Sequence, residues 1–203
     1  MTRRIDLEAM EWGPSERYVQ PTSDEDLALA ARVDTRRFET LYERYADRLY
    51  RYALSRTGSP EAAADIVSQT MIAALEGLER FDPDRGSFAA WLFTIAGRRI
   101  ADRSRAHRRL QRYLATRWRP VEPEEDPLDR IDRDADRADI RAAVQRLSDT
   151  HREVVLLRHV AELPIAEIAA TLNISEGAVK MRLNRALKQL ANDLGGDDDD
   201  EPQ

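Results

Sequence analysis

From Leu163 to Leu190 the chain reads LPIAEIAATLNISEGAVKMRLNRALKQL. Apolar residues recur at helical spacing on both sides of a short polar corner, which predicts two helices joined by a tight turn. Asn173 tolerates the left-handed backbone conformation that often ends a helix, and Ser175 is a favourable N-cap for the next one. The stretch therefore predicts a helix-turn-helix, in which the second helix enters the major groove of DNA.

The outer face of the second predicted helix is basic, whereas its inner face is apolar. We predict DNA contacts from Ser175, Glu176, Gly177, Lys180, Met181, Arg182, Arg185 and Lys188. Residues in the first turns would lie near base edges, and the later cations would lie near phosphates. The alternative is an ordinary amphipathic hairpin with a hydrated charged face.

Composition excludes several classes of protein. The 203 residues include no Cys and only three His, so no disulfide framework, zinc finger or thiol nucleophile is expected. No apolar run approaches the roughly 20 residues that span a bilayer, and no signal sequence opens the chain. We therefore expect a cytoplasmic protein without membrane insertion, metal or cofactor.

The net charge of −6 hides a strong segregation of charge along the chain. Between Arg98 and Arg119 there are nine Arg and one acid, while between Glu122 and Asp139 there are nine acids and three Arg. From Asp193 to Glu201 there are six acids and no base. Separate blocks of this kind indicate a basic working surface and acidic segments elsewhere.

Helical periodicity dominates and strand signals are nearly absent, which predicts an all-α fold with two small helical domains joined by a flexible linker. The predicted organisation is an N-terminal extension at 1–23, a helical bundle at 24–108, an acidic, Pro-containing linker at 109–136, a helix-turn-helix domain at 137–194 and an acidic, disordered tail at 195–203. Phe88 and Trp91 could stack on bases, but their helical spacing favours packing in the core.

Four segments of the chain are distinctive: DIVSQTM from Asp65, FAAWLFTIA from Phe88, REVVLLR from Arg152, and EIA at Glu167 continuing through ISEGAVKMRL from Ile174. Together they resemble the extracytoplasmic-function (ECF) group of bacterial RNA polymerase sigma factors, in the sigma-70 superfamily. The segments occur in the family's order and near its spacing. The resemblance covers about Asp24 to Leu194, interrupted at the linker.

The resemblance implies a role for each domain in starting transcription. Docking on the clamp helices of the largest polymerase subunit would use Asp65, Ile66, Ser68, Gln69 and Ile72. Capture and melting of the −10 promoter element would use Asp84, Arg85, Ser87, Arg98, Arg99, Asp102, Arg103 and Arg105. The helix-turn-helix residues named above would read the −35 element, and the rest of that domain would meet the polymerase flap. An anti-sigma factor is a further implied partner, and no catalytic residue is expected.

The sequence departs from the family pattern at three points. Gln69 stands where Glu is common, Gly97 and Arg98 stand where Arg-Asn is common, and Asn173 stands where Gly is common. Two other classes of protein remain as alternatives: a stand-alone helix-turn-helix regulator, which would bind its operator unaided, and a DNA enzyme such as a recombinase. The chain offers neither a nucleophile elbow nor a metal–carboxylate cluster for the second.

Overall fold

The computed structural model of the protein describes residues 23–115 and 135–195. The helices, in chain order, are α1 (Asp24–Ala31), α2 (Phe38–Thr57), α3 (Pro60–Gly77), α4 (Phe88–Ala115), α5 (Ala135–Arg146), α6 (Asp149–His159), α7 (Ile165–Leu172) and α8 (Glu176–Gly195). Short 3-10 turns lie at Thr35–Arg37, Leu78–Arg80 and Pro83–Arg85. Throughout the described ranges regular structure is helical, which confirms the predicted fold class.

The first domain packs α1 to α4 around an aromatic and aliphatic core. Gly58 ends α2 in the left-handed conformation with φ of 69°, Ser59 caps α3, and Pro60 opens it. Helix α1 is the fourth helix of the bundle predicted at 24–108. Its Leu27 and two alanines are buried, so it closes one side of the bundle.

An aromatic cluster forms the part of this core that lies beneath the 81–87 loop. Phe81 and Phe88 meet edge to face with ring centroids 5.7 Å apart, and Trp91 lies 5.3 Å from Phe81. Phe88 is fully buried. The predicted core role is confirmed for Phe88, whereas Trp91 is partly buried and packs against the core through Phe81 and Phe88. A side chain at Gly77 would begin 3.3 Å from the Trp91 ring, so this position favours glycine.

The second domain consists of α5 to α8, with the helix-turn-helix formed by α7 and α8. Asn173 adopts φ 51° and ψ 50° and ends α7, as predicted. Ser175 caps α8 by accepting the Ala178 N–H at 3.2 Å, and Ser148 caps α6 in the same way. Pro164 lies at the N-cap of α7, one residue before the first helical position.

Several apolar residues lie at the margins of the buried helix faces and remain exposed. Tyr42, Leu75, Ile140 and Leu187 are 39–51% exposed. Single-sequence periodicity identifies a face but not its width, so residues at its margins are misassigned.

The helix ends also differ from the predicted segment bounds. Helix α4 continues through Ala115, beyond the predicted start of the linker at 109, and α5 already begins at Ala135. The arginine-rich sequence that was divided between bundle and linker is a good helix former and has no helix-breaking residue before Pro120. The central part of the linker, the N-terminal extension and the acidic tail lie outside the described residues.

The two domains pack against each other. Helix α7 contacts α4, and α6 contacts α2. Arg48 of α2 lies between them: its guanidinium is 5.1 Å from the Tyr45 ring centroid and donates to the carbonyl of Ala161. Buried apolar residues form one cluster that includes members of both domains. The sequence predicted two domains but gave no sign of this contact.

Candidate nucleic-acid interface

The outer face of α8 carries the residues predicted to contact DNA. Gly177, Lys180, Met181, Arg185 and Lys188 are exposed. Met181 has 51% of its surface accessible. An accessible face of this kind on the second helix of the motif has the form of a major-groove reader.

Three of the predicted −35 residues have additional local roles. The Ser175 hydroxyl caps α8, so its oxygen already accepts one hydrogen bond. Glu176 lies 4.0 Å from Lys180 one turn later, an exposed pair that contributes little to stability. Arg182 is only partly exposed.

The second candidate surface is the loop between α3 and α4. Asp82 accepts the backbone N–H of Asp84 at 3.1 Å and starts a short 3-10 turn, which Gly86 ends at φ 142°. A residue with a side chain is strained at this φ, so the loop conformation depends on glycine. Asp84 and Arg85 are exposed on the turn, where the sequence predicts −10 contacts.

Hydrogen bonds hold both ends of this loop against the first domain. The Arg32 guanidinium donates to the carbonyls of Leu78, at 3.0 Å, and Phe81. Glu25 accepts the Phe88 N–H at 3.0 Å, which places a carboxylate at the positive end of α4. Sequence reasoning missed Glu25 and Arg32, because both act across the fold on residues about 50 to 60 positions away. A fixed loop conformation pre-organises the surface that it presents.

The exposed arginines of α4 continue this surface. Arg98, Arg99, Arg103 and Arg105 are all exposed, as is the predicted contact Asp102. Asp102 lies 2.5 Å from Arg105. The pair is at the surface, where such interactions are weak, so the arginine remains able to turn toward a phosphate.

The outer face of α3 adjoins this basic surface. Ser68 and Gln69 are exposed, Ile72 is 57% exposed, and Asp65 lies 3.8 Å from Arg103 of α4. A cavity of about 420 Å³ between the two helices is lined by Asp65, Ile66, Gln69, Arg99, Asp102, Arg103, Ala106 and Arg109. The structure thus brings the predicted docking residues of α3 beside the predicted −10 residues of α4.

Ile66 requires a correction as a polymerase contact. Its side chain is 2% exposed and belongs to the core of the first domain. In a helix, Asp65, Ser68, Gln69 and Ile72 share one face at spacings of three and four, and Ile66 falls on the inner side. Ile66 therefore supports the docking face from beneath and does not form part of it.

Two models of known protein families match the two domains that carry these surfaces. The model of sigma-70 region 2 matches residues 41–110, and the model of sigma-70 region 4 matches residues 137–190. The chain is 33% identical over 161 residues to the ECF RNA polymerase sigma factor SigL of Mycobacterium tuberculosis, with 79% of this chain and 90% of SigL aligned. The chain belongs to the ECF sigma factors. The resemblance on which the sequence analysis relied is confirmed.

Other ECF sigma factors and solved structures extend the likeness. The ECF RNA polymerase sigma factor BldN of Streptomyces coelicolor is 35% identical over 161 residues, covering 79% of this chain and 61% of BldN. CnrH, solved in complex with the cytosolic domain of CnrY, has a TM-score of 0.65 at 29% identity and covers 86% of this chain and 98% of its own. RpoE of Bartonella quintana, solved with the anti-sigma factor NepR, has a TM-score of 0.63 at 22% identity, with 79% of this chain and 98% of RpoE covered. This last likeness concerns the fold alone.

The described residues offer neither a membrane-spanning helix nor a metal-binding cluster. Within the described ranges, no helix combines the length and the hydrophobicity needed to cross a membrane. Among residues 23–115 and 135–195, no group of three or more His, Cys, Asp or Glu side chains is arranged to hold a metal ion.

Proposed function

We propose that this ECF sigma factor binds core RNA polymerase and directs it to promoters by recognising two DNA elements and promoting melting at the downstream one. The observation that carries the proposal is the presence, in one chain, of a helix-turn-helix with an exposed basic face and a second domain that pairs an arginine-rich helix with a pre-organised loop. A single-domain DNA reader would need only the first of these.

In this proposal, each surface has a distinct task. Helix α8 reads the −35 element through its outer face. The 82–87 loop and the arginines of α4 hold the −10 element. Pulling a base out of the stack costs a few kcal/mol, and binding to the polymerase offsets that cost. The outer face of α3 docks on the clamp helices of the largest polymerase subunit, and the second domain meets the flap.

Further partners and the site of action follow from the same proposal. CnrH was solved with a protein partner, which supports a protein regulator for this chain too. The family resemblance identifies such a regulator as an anti-sigma factor. Because its partners are polymerase and promoter DNA, we infer that the protein acts in the cytoplasm. It performs no catalysis of its own and requires no cofactor.

The test is a run-off transcription assay on genomic templates with core polymerase. Adding the protein should produce transcripts from a defined set of starts, and core alone should not. Arg99→Ala, on the proposed −10 surface, should lower the yield at every start, whereas Arg51→Ala should not. Arg51 is a suitable control because it is an exposed arginine of α2 whose recorded partner is Asp47, one turn away. Absence of specific starts would contradict the proposal.

A further inference from the structure

A cavity lies between the end of α2, the start of α3 and the second half of α4. Its volume is about 530 Å³, which is within the range of roughly 300–1,000 Å³ found for small-molecule sites. Two of its lining residues, Ala62 and Ile100, are buried in the bundle. The packing of the first domain therefore fixes an apolar part of the cavity wall. Neither the docking face of α3 nor the 82–87 loop requires this cavity.

The ionisable side chains that line this cavity are basic. Arg56 of α2 and Arg103 of α4 line it together with the imidazole of His107, and its lining residues, all within the described ranges, include no acid. The neighbouring cavity between α3 and α4 differs, because its lining includes Asp65 and Asp102. A recess that is lined by cations and not by carboxylates attracts an anion.

The same side chains supply hydrogen-bond donors for an anion. The Arg56 Nε–H is shielded from solvent and has no hydrogen-bond partner among the described residues. Ser59, which also lines the cavity, accepts the Ala62 N–H at 3.2 Å and so keeps its own hydroxyl proton available. The amide nitrogen of Gln111 lies 2.8 Å from His107 Nε2 and can only donate, so the ring proton is on Nδ1 and remains a donor. An anion in the cavity would satisfy the buried Arg56 donor, which is costly to leave unpaired.

Both arginines have a carboxylate partner outside the cavity lining, and both keep capacity for a second anion. Glu153 lies 2.9 Å from Arg56, and Asp65 lies 3.8 Å from Arg103. The second pair is at the surface, where such interactions are weak. A guanidinium also has more N–H donors than one carboxylate can accept. A phosphate monoester, with a charge of about −1.5 to −2 at neutral pH, competes well for the remaining donors.

The cavity lies on a different side of α4 from most of the arginines proposed to hold the −10 element. Successive residues of a helix are rotated by about 100°, so His107 lies half a turn around α4 from Arg98 and nearly as far from Arg105. Only Arg103 belongs both to the cavity and to the proposed −10 surface. DNA bound along that surface would not enter the cavity, whereas a small molecule can. The position of the cavity therefore favours a small anion over the DNA backbone.

We infer that this cavity is a binding site for a phosphorylated small molecule. Its phosphate lies among Arg56, Arg103 and His107, and its apolar or planar part packs against Ile100 and Leu110. Leu110 lines the cavity with 55% of its surface exposed, so it has apolar area left to cover. The inference concerns the first domain by itself and does not depend on the proposed function.

The site is tested by titrating the full chain, isotopically labelled for amide NMR, at constant ionic strength. The probes are adenosine 5′-monophosphate (AMP), inorganic phosphate and adenosine. AMP should shift the amide signals of cavity residues such as Ser59, Ser104 and His107 until they saturate. Inorganic phosphate should shift the same signals at least about 3-fold less tightly, because it buries no apolar surface. Adenosine should give no saturable shift over the same concentrations, because it lacks the phosphate.

Three variants and a nucleic-acid probe complete the test. His107→Asp places a carboxylate beside the phosphate and should weaken AMP binding by at least about 10-fold. His159→Asp makes the same change at an exposed histidine of α6 and should bind AMP as the parent does. Leu110→Ser should weaken binding of AMP but not of inorganic phosphate, and the same spectra show whether each variant is folded.

Three results would overturn the inference. The first is the absence of a saturable shift with both phosphate and AMP, and the second is an equal affinity of AMP for His107→Asp and the parent. The third is a set of shifts that spreads along the exposed arginines of α4 and does not concentrate at the cavity. Saturable shifts at the cavity with a short single-stranded DNA, but not with AMP, would assign the cavity to nucleic acid and would equally contradict a small-molecule site.

Discussion

Arg152 connects two helices of the second domain through a single side chain. Its guanidinium donates to the backbone carbonyls of Val144, Gln145 and Leu147, at 3.1, 2.6 and 2.9 Å. These carbonyls lie at the end of α5, where a helix leaves its last acceptors without internal partners. Only 14% of the side chain is exposed. Arg152 therefore hydrogen-bonds the otherwise unpaired carbonyls at the end of α5 and holds the turn that leads into α6.

We predict that Arg152→Ala destabilises the second domain by about 2–4 kcal/mol, because three carbonyls lose a charged donor and two of those hydrogen bonds are partly buried. Arg152→Lys should be intermediate, since an ammonium cannot reproduce the planar fork. Thermal unfolding followed by circular dichroism provides the measurement. Lys188→Ala, an exposed cation on α8, is the control and should change stability by no more than about 0.5 kcal/mol. Equal midpoint temperatures of unfolding for Arg152→Ala and Lys188→Ala would refute this role of Arg152.

The two faces of helix α3 have different roles. Its inner face buries Ile66, Val67, Met71 and Ala74 in the bundle. Its outer face presents Gln69 beside Ile72, an isoleucine that is 57% exposed. Exposed apolar residues are common singly, but one among the proposed docking residues is well placed to become buried at an interface.

We predict that Ile72→Asp weakens the affinity for core polymerase by at least about 10-fold, equivalent to about 1.4 kcal/mol, because a carboxylate would replace an apolar contact. Fluorescence anisotropy of labelled protein titrated with core, without DNA, measures this affinity directly. Val33→Asp is the matched control, since Val33 is an exposed aliphatic residue of the same domain, at 93%, and lies outside the docking face. If both variants bound core as the parent does, α3 would not be the docking helix.

At this scale the sequence predicts local features well and contacts between elements poorly. The left-handed Asn173, the cap at Ser175 and the basic outer face of α8 follow from local chemistry, and all are present. The prediction that Ile66 contacts polymerase was wrong, because the rotation of α3 in the bundle decides which of its residues face inward. The extension of α4 to Ala115 was missed, because the sequence does not show how far a helix continues beyond the bundle. Glu25 and Arg32 gave no signal at all, since their partners are distant in sequence.

Across the whole molecule, charge and contacts indicate a DNA reader that depends on a partner. The net charge is −6, so the overall field does not attract DNA. The cations are concentrated on α4 and α8, and α7 packs beside the loop that precedes α4. A protein built to bind an operator unaided would gain from neither feature. These properties instead fit a subunit whose affinity for DNA is supplied largely by a much larger assembly.

We therefore predict a large difference between the free protein and the holoenzyme in binding to a promoter identified by run-off transcription. At about 0.15 M salt, the free chain should bind duplex promoter DNA only in the non-specific range, roughly 10⁻⁴ to 10⁻⁶ M. Core polymerase should tighten binding by at least about 100-fold, because it adds phosphate contacts and the favourable free energy that opens the −10 element. Filter binding or anisotropy, with core alone and a scrambled duplex as controls, measures both states. Specific, nanomolar binding by the free chain would favour the stand-alone regulator, because that class of protein recognises its operator without polymerase.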